Sequence, residues 1–253
     1  DLQEAPHRIG LNRDVRVLPR RFNPMRALRT PRPIRYLIAP DPRIIDDQWW
    51  LKLIRAAEML TATDLRRFQL AMYPFELVRA IAVTWCLSGL RSDEIRRLRV
   101  GCIGKRDGAD ATLPEDTVCF LRVPVNKTGT AFTKPVHRLV GQRIEEWERV
   151  RPLQASALDG KTNELVDYLF AFRHRQIGPN YINKRVIPLL CAKANVPTID
   201  SRGRITSHRA RATLASALYN APEGLSISEL GEWLGHKDPR STRHYAARQP
   251  TRL

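Results

Sequence analysis

Past residue 43, the apolar positions fall into helical stripes broken by one alternating stretch. Trp49, Trp50, Leu53, Ile54, Ala57 and Leu60 recur at helical spacing behind Asp46, a good N-cap, and predict a helix from Asp46 to about Leu60. A second helix is expected within 61–72. From Phe75 to Leu87 the chain is apolar on nearly every side (Leu77, Val78, Ile81, Val83, Trp85), which predicts a central buried helix closed by Gly89. Ser92 is expected to cap a short helix, Asp93 to Leu98, with Asp93 and Glu94 in the first turn where the dipole favours acids. Arg91 then sits in the tight turn between two helices.

The pattern changes over 99–137. Thr117–Val125 and Ala131–Val136 flank Asn126-Lys127-Thr128-Gly129-Thr130, which reads as a β-hairpin with Lys127 at its tip. Pro124 and Pro135 imply edge strands or strand ends. Helices resume at Val140–Val150 and at Pro179–Ala194, where Pro188 should introduce a bend. Ser207 is expected to cap His208–Tyr219, and Pro222-Glu223-Gly224 breaks that helix. Ser226 begins another, to Leu234, closed by Gly235, and Pro239 opens a last short helix carrying Tyr245. The expected fold is mainly α with one small antiparallel β-sheet, an α+β class, without internal repeats.

Residues 1–43 read differently. Seven prolines and ten arginines punctuate a segment with too few apolar residues for its own core. Two domains are therefore expected: a basic arm or interdomain linker over 1–43, as a strap on DNA or a plain linker, and a folded domain over 44–253.

Charge narrows the partner. Among 253 residues, 43 Lys and Arg face 26 Asp and Glu, a net +17. Such a field favours polyanions, nucleic acid first and an anionic membrane surface second. The four cysteines, Cys86, Cys102, Cys119 and Cys191, lack the spacing of a zinc site and suit buried reduced thiols. No apolar run is long enough to span a membrane and no signal peptide opens the chain, so a cytoplasmic, nucleoid-associated protein of a prokaryote is expected. The first residue is Asp1, as in a fragment of a longer protein.

Candidate chemistry lies in five places, in order: Gly89-Leu90-Arg91-Ser92-Asp93-Glu94, Lys127-Thr128-Gly129, His208-x-x-Arg211, Leu234-Gly235-His236, and Tyr245 nine residues on. That order resembles the catalytic domain of the tyrosine recombinases, the phage integrase family, over about residues 44 to 247. The carrying motifs are H-R-A-R-A-T-L-A, L-G-H-K-D-P-R-S-T-R-H-Y and G-L-R-S-D-E-I-R-R-L. Lys127 has the shortest motif, and Lys134 lies on the partner strand. The resemblance implies that family's catalytic-domain fold and a 3′-phosphotyrosyl intermediate with a free 5′-hydroxyl. It implies no cofactor or metal, double-stranded DNA as partner, and a homotetramer on synapsed sites, with the isolated fragment a monomer. The family's helical core-binding domain has no counterpart in residues 1–43. The helix that usually follows the tyrosine has only residues 246–253 to supply it.

The residue types suit that chemistry. Attack on a phosphodiester builds negative charge on the non-bridging oxygens, which two guanidiniums, Arg91 and Arg211, can clamp with fixed N–H forks. A phenol keeps its proton at neutral pH, so Tyr245 as nucleophile needs a base, for which His208 is the candidate. His236 would bond the scissile phosphate. Lys127 would protonate the departing 5′-oxygen. Glu94 is expected to support local structure. Arg96, Arg97, Arg99, Lys105, Arg173, Arg175, Lys184, Arg185, Arg202, Arg204, Arg209 and Arg243 are candidates for a phosphate-tracking surface, about half of them in earnest.

The expected function is site-specific recombination or integration for a mobile element, by phage-type integration or transposition. Two alternatives stay open: a type IB topoisomerase-like enzyme, which shares the same residue types, and a non-catalytic regulator that uses 227–242 as a helix-turn-helix in the major groove.

Overall fold

The computed structural model describes residues 8–9, 16–17, 42–104, 117–125 and 129–245. The chain divides into two compact units, Asp1–Ala39 and Pro40–Leu253. In the first, β1 (Arg8–Ile9) pairs antiparallel with β2 (Arg16–Val17); the rest of the expected arm, through residue 41, lies outside the described residues. So do Lys127 and Lys105.

The second unit is built on its most apolar helix. α1 (Asp47–Glu58) is capped by the Asp46 carboxylate, which accepts from Gln48 N at 3.0 Å. α2 (Ala62–Arg67) is shorter than the 61–72 expected, and Gln69, with φ of 55°, turns the chain out of it. α3 (Phe75–Ser88) buries ten of its fourteen residues, as its all-round apolar pattern requires. It packs against α1, and Trp50 meets Trp85 edge to face at 5.6 Å. Gly89 ends it in the left-handed region, φ 63°.

α4 (Ser92–Arg96) starts one residue earlier than expected, with Arg91 rather than Ser92 as N-cap. The reason is Glu94, whose carboxylate accepts from Arg91 N at 2.8 Å. A three-stranded antiparallel sheet follows, order β3 (Ile103–Gly104), β4 (Val118–Val123), β5 (Phe132–His137). β5 is an edge strand, which is where Pro135 is tolerated. α5 (Arg138–Val150) returns against α3.

Where helix was not expected and no strand was foreseen, residues 157–176 form two small hairpins: β6 (Ala157–Asp159) with β7 (Glu164–Val166), and β8 (Ala171–Phe172) with β9 (Arg175–Gln176). A further pair joins β10 (Ile199–Asp200) to β11 (Gly203–Arg204). The expectation of a single sheet is thus corrected: small antiparallel sheets recur along the unit. The expected 179–194 helix is also revised. A π-helical turn, Ile182–Val186, runs on into α6 (Ile187–Lys193), and Pro188, which has no N–H to donate, follows that turn directly.

α7 (Ser207–Asn220) has Thr206 as N-cap, with Ser207 already helical. α8 (Ile227–Leu234) opens on a capping box between Ser226 and Glu229 and closes at Gly235, φ 65°. α9 (Pro239–Arg243) is capped by Asp238. The main core gathers α1, α3, α5 and α6; a second cluster joins α7 to α8 and includes Tyr245. Among the described residues no helix is long and apolar enough to cross a membrane.

Candidate active site

Two chain reversals meet at one guanidinium. Arg211, on the inward face of α7, is fully buried. One of its terminal nitrogens, Nη1, donates to Gly89 O at 2.7 Å, and the other, Nη2, donates to Leu234 O at 2.5 Å. Both acceptors are helix-end carbonyls, which lack intrahelical partners and carry the negative end of the helix dipole. Glu94 Oε2 stands 3.5 Å from Nη1. Burial lowers the pKa of Arg211 to about 10, against the pull of Glu94 and with the push of Arg91; it remains cationic at neutral pH. Its Nε–H has no hydrogen-bond partner.

Arg91 is part-exposed and points its Nη1 at Glu94 Oε1, 2.6 Å away. Glu94, expected to do local work only, therefore serves both arginines. A single buried carboxylate between two guanidiniums leaves net positive charge for an anion.

His236 follows Gly235 and is fixed from two sides. Arg211 Nη2 lies 3.1 Å from its Nε2, and Thr242 Oγ1 lies 3.1 Å from its Nδ1. A guanidinium only donates, so Nε2 is the acceptor and the proton sits on Nδ1, donated to Thr242. Burial, then Arg211 and Arg91, lower the His236 pKa to about 4. The same causes lower that of His208, in the first turn of α7. Its side chain is exposed, so the enclosure is partial. Both imidazoles are neutral at pH 7.

Tyr245 is docked. Its side chain is buried with Ala212, Ala215, Leu230 and Leu234. Its ring stacks on His236 with centroids 6.0 Å apart and meets His208 edge-on at 6.3 Å. The backbone N–H of Tyr245 donates to Thr242 O at 2.9 Å. Five of the six expected residues, Arg91, His208, Arg211, His236 and Tyr245, are thus brought together; Lys127 lies outside the described residues.

Two partners were missed. Thr242 is fully buried and sets the His236 tautomer. Lys134 is 1 % exposed, with Trp233 packed on it. The signal for Lys134 was available: it falls in phase with inward Phe132 and Val136 on β5.

Several residues expected to track phosphates do structural work instead. Arg97 is buried and holds Asp159 through two bonds of 2.7 and 2.6 Å and the carbonyl of Val125. Arg209 is buried and grips Asp200 at 2.7 and 2.6 Å plus three backbone carbonyls. Arg96 and Arg99 bind Gln176 and Glu164. Arg173, Arg175, Lys184, Arg185, Arg204 and Arg243 are exposed. Arg173 and His174 form the β8–β9 turn with φ of 51° and 59°, a left-handed pair that non-glycine residues seldom adopt. His174 is held there by Gln154 Oε1 and Ala155 N. Among the described residues, no group of three or more His, Cys, Asp or Glu is placed to hold a metal ion.

Comparison with known proteins bears on both the fold and the family. The chain is similar in fold to the XerH site-specific recombinase bound to its difH substrate (TM-score 0.55, 15 % identity, 81 % of this chain and 50 % of that one). It is also similar to the XerA recombinase (0.54, 17 %, 82 % and 60 %). A third is the Tn1549 transposon integrase in complex with a circular intermediate DNA (0.52, 14 %, 83 % and 63 %). The chain thus spans between half and two thirds of the length of these structures. No curated protein matches it. Residues 58–252 match the phage integrase family, which covers α3 to Tyr245 and every candidate residue above, and the chain belongs to that family.

Proposed function

We propose that this protein is a site-specific DNA recombinase or integrase of a mobile element, which cuts and rejoins DNA through Tyr245. The observation that carries the reading is the seat of Tyr245: a buried phenol against two neutral imidazoles, beside a fully buried arginine.

Arg91 and Arg211 would take the two non-bridging oxygens of one phosphate, where charge grows during attack. His208, neutral and partly open to solvent, would accept the phenol proton. The Tyr245 oxygen then bonds to phosphorus as the bond to the 5′-oxygen breaks. That oxygen leaves with a proton, for which Lys127 is the proposed donor. The 3′-phosphotyrosyl ester retains one phosphodiester-like bond in place of another, so a 5′-hydroxyl can reverse the step. His236 has a second part to play. An anionic phosphate raises the proton affinity of its ring, and a protonated ring donates from Nε2 while Nδ1–H stays on Thr242.

Double-stranded DNA is the proposed partner, with a homotetramer forming on two synapsed sites. The proposed setting is the nucleoid of a prokaryote. The seat of Tyr245 favours this reading over a helix-turn-helix regulator, which has no use for it.

A nicked suicide substrate of the cognate site tests the proposal. Wild-type protein should accumulate a covalent DNA adduct at Tyr245, in EDTA as well as in magnesium, and Tyr245→Phe should form none. Tight binding of that site without any adduct from wild-type protein would refute it.

A further inference from the structure

Lys134 is a buried lysine that the proposed chemistry leaves unused. Its Nζ donates to Ser88 O at 2.6 Å and lies 3.1 Å from the centroid of the Trp233 ring. Among the described residues it forms no ion pair. Its amine is met instead by a helix-end carbonyl and an aromatic face. Burial, and then Arg211, hold its pKa well below that of an ordinary lysine, with Glu94 opposing.

Its neighbours show what it holds. Three dipeptides meet around Arg211: Ser88-Gly89 at the end of α3, Trp233-Leu234 at the end of α8, and Lys134-Pro135 on β5. Ser88 O takes Lys134 and Gly89 O takes Arg211. Leu234 O takes Arg211, while Trp233 covers Lys134 and donates from Nε1 to Pro135 O at 2.9 Å. The Trp233 ring lies so close over Gly89 that a Cβ there would sit 2.6 Å from it. Lys134 is thus the pin through which both corners that carry the guanidinium are fixed to β5.

We propose that Lys134 is a positioning residue for Arg211, holding the Ser88–Gly89 and Trp233–Leu234 corners on which the guanidinium hangs, and not a proton donor. The proposal rests on the recombinase reading, since it assigns Arg211 to the reacting phosphate.

The test compares wild type, Lys134→Met and Lys134→Arg on two suicide substrates, one with oxygen and one with sulfur at the 5′-bridging position. A thiolate leaves without a proton, so sulfur hides the loss of a general acid but not the loss of an oxyanion clamp. Lys134→Met should slow adduct formation on both substrates alike, by up to about 100-fold, the scale of a small misplacement. DNA affinity should stay within about threefold, and Lys134→Arg should recover part of the rate. Rescue of Lys134→Met by sulfur would make Lys134 a proton donor and overturn the proposal. So would an unchanged rate, or a loss lying wholly in DNA affinity. If Lys134→Met does not fold, Trp233→Phe, which keeps the ring and loses the Pro135 bond, reads the same comparison. A readout without DNA separates this proposal from the one it rests on. The guanidinium nitrogens of Arg211 should give resolved, slowly rotating NMR signals in wild type that collapse in Lys134→Met. Unchanged signals would sink the positioning role even if the protein recombines DNA, whereas a collapse without any wild-type adduct would count against the recombinase reading alone.

Discussion

Gly235 joins α8 to His236, and its substitution gives a sharp test of how the site is held. Two effects act on Gly235→Ala. The residue has φ of 65°, and a left-handed conformation costs a non-glycine residue about 1–2 kcal/mol. An added Cβ would also lie 2.4 Å from the Phe132 ring, and forcing extra volume into a packed contact costs about 1–3 kcal/mol. Together they come to about 2–5 kcal/mol. Gly101→Ala supplies the control, because Gly101 has φ of 69° but nothing within 4 Å of the added carbon. It should lose the conformational part alone, about 1–2 kcal/mol. Urea unfolding of the two variants measures both, and in thermal melts the gap should reach several degrees, since about 1 kcal/mol corresponds to roughly 2–4 °C at this size. Equal losses in the two variants would mean that Phe132 yields freely, and the idea that β5 buttresses the His236 corner would be wrong.

Further outcomes follow from His236 and its partner, and from the Arg97–Asp159 pair. Thr242→Val leaves the Nδ1–H of His236 without its acceptor, which costs about 1–3 kcal/mol; adduct formation should fall by about tenfold or more, with DNA affinity unchanged. In wild type, nitrogen-15 NMR should show His236 as the neutral Nδ1–H form at pH 7, gaining a proton only near pH 4. Because that pKa is depressed in the fold, the unfolded chain takes up the proton first, so His236 makes stability fall as pH drops from about 6.5. Asp159→Asn strands the buried Arg97 and should cost about 3–5 kcal/mol in urea unfolding. Burial alone would raise the Asp159 pKa, but Arg97 and the Lys161 N–H more than offset it and the value is lowered. Its stabilisation is therefore present above the ordinary carboxylate pKa and is lost as pH falls below about 4.

The parts legible in the sequence are those with a local cause. The all-round apolar run of α3, the glycines at 89 and 235, and the alternation of β4 and β5 each announce themselves within a few residues. The order of Arg91, His208, Arg211, His236 and Tyr245 pointed to the cluster that the fold brings together. What stayed hidden is long-range or very short. Strands of two or three residues such as β8 and β9 have no measurable period. Arg97 and Arg209 look like any surface arginine until Asp159 and Asp200, 62 and 9 residues away, are placed against them. Thr242 reads as a helix residue, and its bond to His236 exists only because the Gly235 corner folds α9 back.

α9 has five residues, too few to persist as an isolated helix. Its place is set by the Asp238 cap and by two inward side chains, Thr242 and Tyr245, both of which touch His236. Tyr245, the proposed nucleophile, is therefore its own anchor. Apparent rate scales with the fraction of molecules in which it is seated: if one in ten were docked, cleavage would run about tenfold slower with every reacting group intact. Under the proposed function, anything that pulls on the chain after Tyr245 would throttle strand cutting without reaching the phosphate.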